Sequence, residues 1–207
     1  MKQKVVKGLL WKLLENGGAQ GVQFVIAIIL ARLLTPAQYG VVGIITIFIT
    51  IANVVVQSGF STALVQKQKA DKVDFSSVCY FDLFVALVMY GILYAAAPVI
   101  ASFYGIAELE AIVRVLSIVL FPGAVISVQT AYVSRNLEFK GLFLSTLAAS
   151  AASGVISIWM AANGFGVWAM VGQQVSYYFV LMIALFFEVS WKPGLLFAFD
   201  QIGRAHV

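Results

Sequence analysis

The sequence predicts an all-α polytopic membrane protein of six transmembrane helices, and three observations carry that prediction. Apolar stretches of about twenty residues recur six times along the 207-residue chain, and each matches the roughly 30 Å hydrocarbon core of a bilayer at 1.5 Å rise per residue. Hydrophobic residues make up 62% of the chain and charged residues 11%, with mean hydropathy +0.98, whereas soluble domains are about a quarter charged. The connecting loops are all too short to fold as a soluble domain.

Helix one is expected over roughly Leu9 to Leu34. Its basic start, Met1 to Lys7, resembles a signal peptide, but the apolar run is long and lacks a small-x-small cleavage site, so it reads as a retained helix. A loop at Thr35 to Gly40 precedes helix two, Val41 to Val65. Helix three spans Ser77 to Ala97, and a loop from Pro98 to Glu108 leads to helix four, Leu109 to Ser134. Pro122 removes a backbone donor inside helix four and is expected to kink it. Helix five is placed at Leu142 to Ala162 and helix six at Val167 to Val189. Gly17 with Gly21, Ala148 with Ala152, and Ser150 with Gly154 are small pairs that permit close helix contact in lipid.

Lysine and arginine set the orientation, because cationic short loops stay on the cytoplasmic side. Lys2, Lys4, Lys7, Lys67, Lys69, Lys72, Arg135, Lys140 and Lys192 fall on one side; Arg32, Glu108 and Glu110 fall on the other. Both ends of the six-helix block are therefore expected in the cytoplasm. Trp11, Tyr39, Tyr104, Trp168 and Trp191 suit the interfacial belts. The pI near 9.2 does not point to nucleic acid, since the basic residues form no aromatic-interleaved face. A single cysteine, Cys79, excludes an internal disulfide or a multi-cysteine metal site and is expected to be buried. Neither a metal nor a cofactor is expected.

Polar residues inside a membrane are costly and usually face a bundle interior or a water-filled cavity. Lys12, Glu15, Asn16, Gln20 and Gln23 share one face of helix one; Thr46, Thr50, Asn53 and Gln57 share one face of helix two. Two polar stripes on adjacent helices predict a shared hydrophilic lumen, the alternative being hydrogen bonds between helices. Lys12 also has the option of snorkelling to the interface. Arg114, a turn and a half into helix four, is either a lumen cation or the partner of Glu110. Asp82 reads as an interfacial residue, and Gln173 and Gln174 as structural. The lumen candidates are thus Lys12, Glu15, Asn16, Gln23, Asn53, Gln57 and Arg114. No phosphate loop, HExxH, GxSxG or paired catalytic carboxylates is present, which disfavours an enzyme.

The tail, Gln201 to Val207, continues no helix, and its back-translation CAG ATC GGA AGA GCA CAC GTC resembles a sequencing adapter. Residues 1–200 are therefore expected to form the helical lobe and 201–207 an artefact, which leaves the only histidine, His206, without functional weight.

Five segments carry a family resemblance: ILARLLTPAQYG (Ile29 to Gly40), QSGFSTALVQK (Gln57 to Lys67), APVIASFYG (Ala97 to Gly105), SRNLEFK (Ser134 to Lys140) and GFGVWAMVGQQ (Gly164 to Gln174). They resemble the Wzx-type oligosaccharide flippases of the multidrug/oligosaccharidyl-lipid/polysaccharide exporter superfamily, the colanic-acid-exporter type above all. The resemblance implies a two-lobe fold of which this chain supplies the N-terminal lobe, truncated before its C-terminal partner lobe. It implies a bacterial inner-membrane flippase that moves undecaprenyl-diphosphate-linked oligosaccharide between leaflets by alternating access, with lipid-linked oligosaccharide and membrane lipids as partners and no nucleic acid. A cation-coupled multidrug exporter of the same superfamily is the alternative, and a membrane-embedded glycosyltransferase or polymerase a distant third.

Overall fold

A segment that crosses hydrocarbon must satisfy its own backbone, and the helix does so within one stretch of chain. The computed structural model describes residues 2–57, 64, 72–136, 139–189 and 191, and within them the side chains from residue 17 onward apart from that of Lys72, together with those of Trp11 and Leu14; helices account for nearly all of it, with no strand among the described residues. The order is α1 (Lys2–Leu33), α2 (Pro36–Val56), α3 (Lys72–Tyr104), α4 (Glu108–Leu116), a 3-10 turn (Ser117–Val119), α5 (Leu120–Asn136), α6 (Phe139–Ala162) and α7 (Trp168–Glu188). Five of the resulting spans are long and apolar enough to cross a membrane: Pro36–Val56, Val73–Tyr104, Glu108–Asn136, Phe139–Ala162 and Trp168–Glu188. A shorter apolar helix, Gly17–Leu33, forms the second half of α1. The chain is an all-α polytopic membrane protein.

Several boundaries differ from the sequence reading, each for a local reason. Thr35 to Gly40 is not a loop, because α2 begins at Pro36. Thr35 caps it, with its Oγ1 accepting from the Gln38 backbone N–H and the Gln38 side chain accepting from the Thr35 N–H at 2.9 Å. Proline at the first helical position costs nothing there, since that N–H has no helical partner. The expected loop from Pro98 is likewise absent: α3 runs through Pro98 to Tyr104. Its 33 residues span about 50 Å, longer than the hydrocarbon core. The lost Pro98 donor falls on an exposed flank near the helix end, and Gly105, at φ 68, ends the helix where a side chain would be strained. Pro122 acts as expected. Its ring opposes the carbonyl four residues earlier, that of Ile118, and the 3-10 turn Ser117–Val119 occupies that point between α4 and α5.

Packing follows the rules of lipid, where close approach of small residues replaces the hydrophobic drive. The core of the bundle is α6, which lies against α1 on one side and α7 on the other. Its buried face carries Gly141, Ser145, Thr146, Ala149, Ser150, Ser153, Gly154 and Ser157. Three hydroxyls close on their own helix, Thr146 donating to the Leu142 carbonyl at 2.7 Å, Ser153 to that of Ser150 at 3.1 Å and Ser157 to that of Gly154 at 2.9 Å, while Ser150 Oγ is buried without a partner. Any Cβ at Gly154 would collide with Ile26 of α1. The Ser150 and Gly154 pair therefore lies at a helix contact. Gly17 and Gly21 face open space, since no described atom lies within 4 Å of a Cβ built at either, and Ala148 is exposed.

The other helices pack as α5 on α3, α3 on α2 and α4, and α5 on α7. One apolar cluster joins α2, α3, α4 and α5 through Ile45, Ala52, Ala86, Ile112, Leu116 and Leu120. A second closes the end where α3 starts and α7 finishes. There Trp191 is 1% exposed and packs between Phe75 and Tyr132, so it is a core residue and not an interfacial one. Cys79 is buried in the same cluster, as expected. The outer faces are apolar and open, as lipid contact requires: Phe103 is 81% and Phe187 82% exposed.

Replacing Gly154 with leucine should separate α1 from α6, at a cost of about 1–3 kcal/mol, and lower both the melting temperature in detergent and the membrane abundance. Gly21→Ala at an open position should leave both unchanged or slightly raised. Equal losses from the two variants would show that the α1–α6 contact is not made through Gly154.

Candidate functional site: a polar groove between α1, α2, α5 and α7

Among the described residues, the closely packed helix pairs do not include α1 with α2, α1 with α7, or α2 with α7. The space these three helices leave is lined by their polar faces. Steps of three and four residues keep Thr46, Thr50, Asn53 and Gln57 on one side of α2, and α5 repeats the spacing with Ser127, Thr130 and Ser134. From α7 come Gln173, Gln174, Tyr177 and Tyr178.

Three cavities adjoin one another here. The first, about 340 Å³, is lined by residues including Gln20, Gln23, Tyr39 and Gln173. The second, also about 340 Å³, lies among Gln23, Thr46, Thr50, Asn53, Gln173, Gln174, Tyr177 and Tyr178. The third, about 560 Å³, is bounded by Gln57, Ser127, Thr130, Ser134, Tyr177 and Tyr178. Gln23 and Gln173 belong to the first and second, and the two tyrosines to the second and third. Shared lining residues place the three side by side along one polar groove.

Hydrogen bonding inside it is partial. Gln173 Nε2 donates to Gln23 Oε1 at 3.0 Å, tying α7 to α1 across 150 residues of sequence. Thr46 closes on its own helix, its hydroxyl donating to the Val42 carbonyl at 2.7 Å. Asn53 Oδ1 is buried without a partner. Gly123 of α5 makes room for it: a Cβ there would lie 3.0 Å from Asn53 Oδ1 and 3.7 Å from Tyr178 Cε1. The rings of Tyr177 and Tyr178 stand at 90°, 5.8 Å apart. None of the described residues lining the three cavities is charged. The groove offers amides, hydroxyls and aromatic faces, a set suited to a hydroxyl-rich ligand.

Of the lumen candidates, Gln23, Asn53 and Gln57 line this groove. Lys12, Glu15 and Asn16 sit on α1, with side chains outside the described residues. Arg114 is elsewhere: its Nη1 lies 2.9 Å from Glu110 Oε1, and its guanidinium carbon 4.4 Å from the centre of the Tyr94 ring. Gln173 and Gln174, read from sequence as structural, are groove residues, and α5's hydroxyls and the two tyrosines escaped notice altogether. A legible signal existed in the spacing of Ser127, Thr130 and Ser134. It was hidden by weak polarity, since serine and threonine also satisfy themselves within helices. Asp82 and Gln129 are both fully buried, with the carboxylate and carboxamide unpartnered, and neither lines the groove. No group of three or more His, Cys, Asp and Glu side chains able to hold a metal occurs among the described residues.

A water-filled groove makes a cysteine reactive, because the thiolate that attacks a maleimide forms only where water reaches it. Gln57→Cys, Thr130→Cys and Gln173→Cys should label with a water-soluble maleimide at least about tenfold faster than Phe84→Cys or Val155→Cys, both of which are exposed but apolar in surroundings. Equal rates across the two sets would mean that the groove is dry.

The comparisons with known proteins agree with this architecture. Residues 29–205 match the family model described as polysaccharide biosynthesis protein. The chain is similar to the succinoglycan biosynthesis transport protein ExoT of Rhizobium meliloti (strain 1021), 24% identical over 198 residues, which cover 96% of this chain and 40% of that protein. It is also similar to the teichuronic acid biosynthesis protein TuaB of Bacillus subtilis (strain 168), 26% identical over 141 residues, 68% of this chain and 29% of that one. An uncharacterized membrane protein in the cps region of Klebsiella pneumoniae is 22% identical over 139 residues, 67% of this chain and 29% of its own length. The chain thus spans at most two fifths of the curated relatives it matches. No solved structure matches it. With a family model covering most of its length and a membrane bundle of the required kind, the chain belongs to the polysaccharide biosynthesis protein family.

Proposed function

We propose that this chain is the first lobe of a flippase that carries an undecaprenyl-diphosphate-linked oligosaccharide from the cytoplasmic to the periplasmic leaflet of a bacterial inner membrane. A second lobe completes the path, and the two alternate access to the carrier lipid without chemical change to it, as a transporter and not an enzyme. The observation that carries this reading is the groove: amides and hydroxyls from four helices line three adjoining cavities in a largely apolar bundle. Polar groups at that depth are expensive unless they meet water or substrate. The transport named for the Rhizobium relative supports the same direction. The loop charges support a cytoplasmic N-terminus.

A second reading, a cation-coupled drug exporter, draws on Asp82, whose two buried carboxylate oxygens lack a partner. It expects overproduction to confer drug resistance that Asp82→Asn abolishes. The flippase reading expects no resistance.

Deleting the gene that carries this sequence should abolish surface polysaccharide and leave lipid-linked precursor in the inner leaflet; normal polymer in the deletion strain would refute the proposal. In the complemented strain, Asn53→Leu should reduce export about two- to tenfold, the worth of one neutral hydrogen bond at 0.5–1.5 kcal/mol. Arg114→Ala should stay within about twofold of wild type, because its guanidinium is engaged by a part-exposed carboxylate. A cysteine at Ala107 should label from the periplasm in intact cells; labelling only after lysis would invert the topology.

A further inference from the structure

We propose that Asp82 of α3 and Gln129 of α5 form a buried proton-binding lock: with a proton on Asp82 the two helices hold their observed positions, and its loss moves α5 and reshapes the groove. The lock lies outside the groove and does not depend on what the groove carries; only its effect on export rests on the flippase reading.

Asp82 lies ten residues beyond the start of α3, about 15 Å along the helix and inside an apolar span. It is 0% exposed, and neither carboxylate oxygen has a partner. Gln129 is also 0% exposed, with both its Nε2 and its Oε1 unpartnered. Helix register brings the two to one interface. α3 and α5 run antiparallel, with Phe75 against Tyr132 at 5.4 Å between ring centres and Tyr90 against Phe121 at 5.5 Å. Asp82 lies between these contacts on the same buried stripe of α3 as Phe75, Cys79 and Ala86. Gln129, one turn from Tyr132, lies between them on α5.

A carboxylate taken out of water with neither a cation nor a donor is too costly to persist. Among the described residues, no cation on the elements packed against α3 relieves it. α2 and the 3-10 turn carry no charge. The charges of α4, Glu108, Glu110 and Arg114, lie toward the other end of α3, where Arg114 stacks on Tyr94, and Arg135, at the end of α5, donates to the Leu64 carbonyl at 3.0 Å. The titratable groups on the two facing stripes are the Cys79 thiol and the phenols of Tyr90 and Tyr132, none of them a cation. One carboxyl and one amide carbonyl are also too few ligands for a metal ion, and no group of three ligand side chains occurs among the described residues. A proton is the neutralising ligand that remains. Once ionised, Asp82 needs a donor, and Gln129 Nε2 is the unsatisfied one across the interface. Joining them shifts α5, which the 3-10 turn and Pro122 at its start permit. That motion reaches the groove. Ser127, Thr130 and Ser134, which line it, lie opposite Val125, Gln129 and Tyr132 on α5 at about 100° per residue.

The test uses the purified full-length gene product in lipid nanodiscs, and separately the deletion strain at matched membrane abundance. Infrared spectra at about pH 6 should show a protonated-carboxyl carbonyl band that Asp82→Asn removes and that fades toward about pH 9. Over the same range, Thr130→Cys on the groove face of α5 should change its maleimide reactivity relative to Gln173→Cys on α7 by at least about threefold, after subtraction of the parent protein's labelling. Asp82→Asn and Asp82→Leu, both neutral, should hold that ratio at its acid value throughout. Gln129→Leu should move the change to higher pH, because the ionised form loses its donor. Absence of the band, or a band that Asp82→Asn leaves intact, would overturn the proton site. A wild-type ratio unchanged with pH, or a transition that Gln129→Leu does not move, would overturn the lock. In cells Asp82→Asn should lower export at least about fivefold, and export at wild-type level would overturn the link to transport. Failure of the wild-type gene to restore polymer would instead refute the flippase reading, with the spectra and labelling still deciding the lock.

Discussion

Everything in this bundle depends on how helices attract one another where water cannot drive them together. In lipid the reward goes to close backbone approach, and α6 is built for it, with Gly141, Ser150, Ser153, Gly154 and Ser157 along its buried face. By drawing α1 to one flank and α7 to the other, it fixes the two helices at a spacing set by its own width. The polar stripe of α2 faces the opening left between them. The described lining of the groove comes from α1, α2, α5 and α7 and not from α6, with polar side chains collected where α1, α2 and α7 do not pack closely on one another.

The sequence revealed the helices because length and apolarity are local properties. It revealed the stripes of α1 and α2 for the same reason: Gln23, Asn53 and Gln57 repeat at helical spacing. What it concealed was pairing. Gln173 reads as an isolated amide until Gln23 is found 3.0 Å away, and Tyr177 and Tyr178 read as ordinary apolar bulk until two cavities prove to share them. Proline misled at Pro98 and not at Pro122. The first lies on an exposed flank near a helix end, where a lost donor is tolerated; the second lies in the packed interior and forces a tighter turn.

Among the described residues, charge lies apart from the groove. Arg114 is paired with a carboxylate one turn earlier and lies over an aromatic face, while its Nε is buried without a partner. The Asp82 carboxyl is separated from the groove and enclosed by α3's neighbours.

The bond from Gln173 to Gln23 has a consequence for how such a chain is made. Its two ends are 150 residues apart, and synthesis at 5–20 residues per second separates their emergence by about 8 to 30 s. During that interval Gln23 of α1 lacks its partner and the helix its packed flank, since α6 and α7 follow α1 to α5 in the chain. The newborn protein must hold its first helix in waiting, so the insertion machinery or the surrounding lipid acts as a temporary neighbour for the face that later meets Gln173.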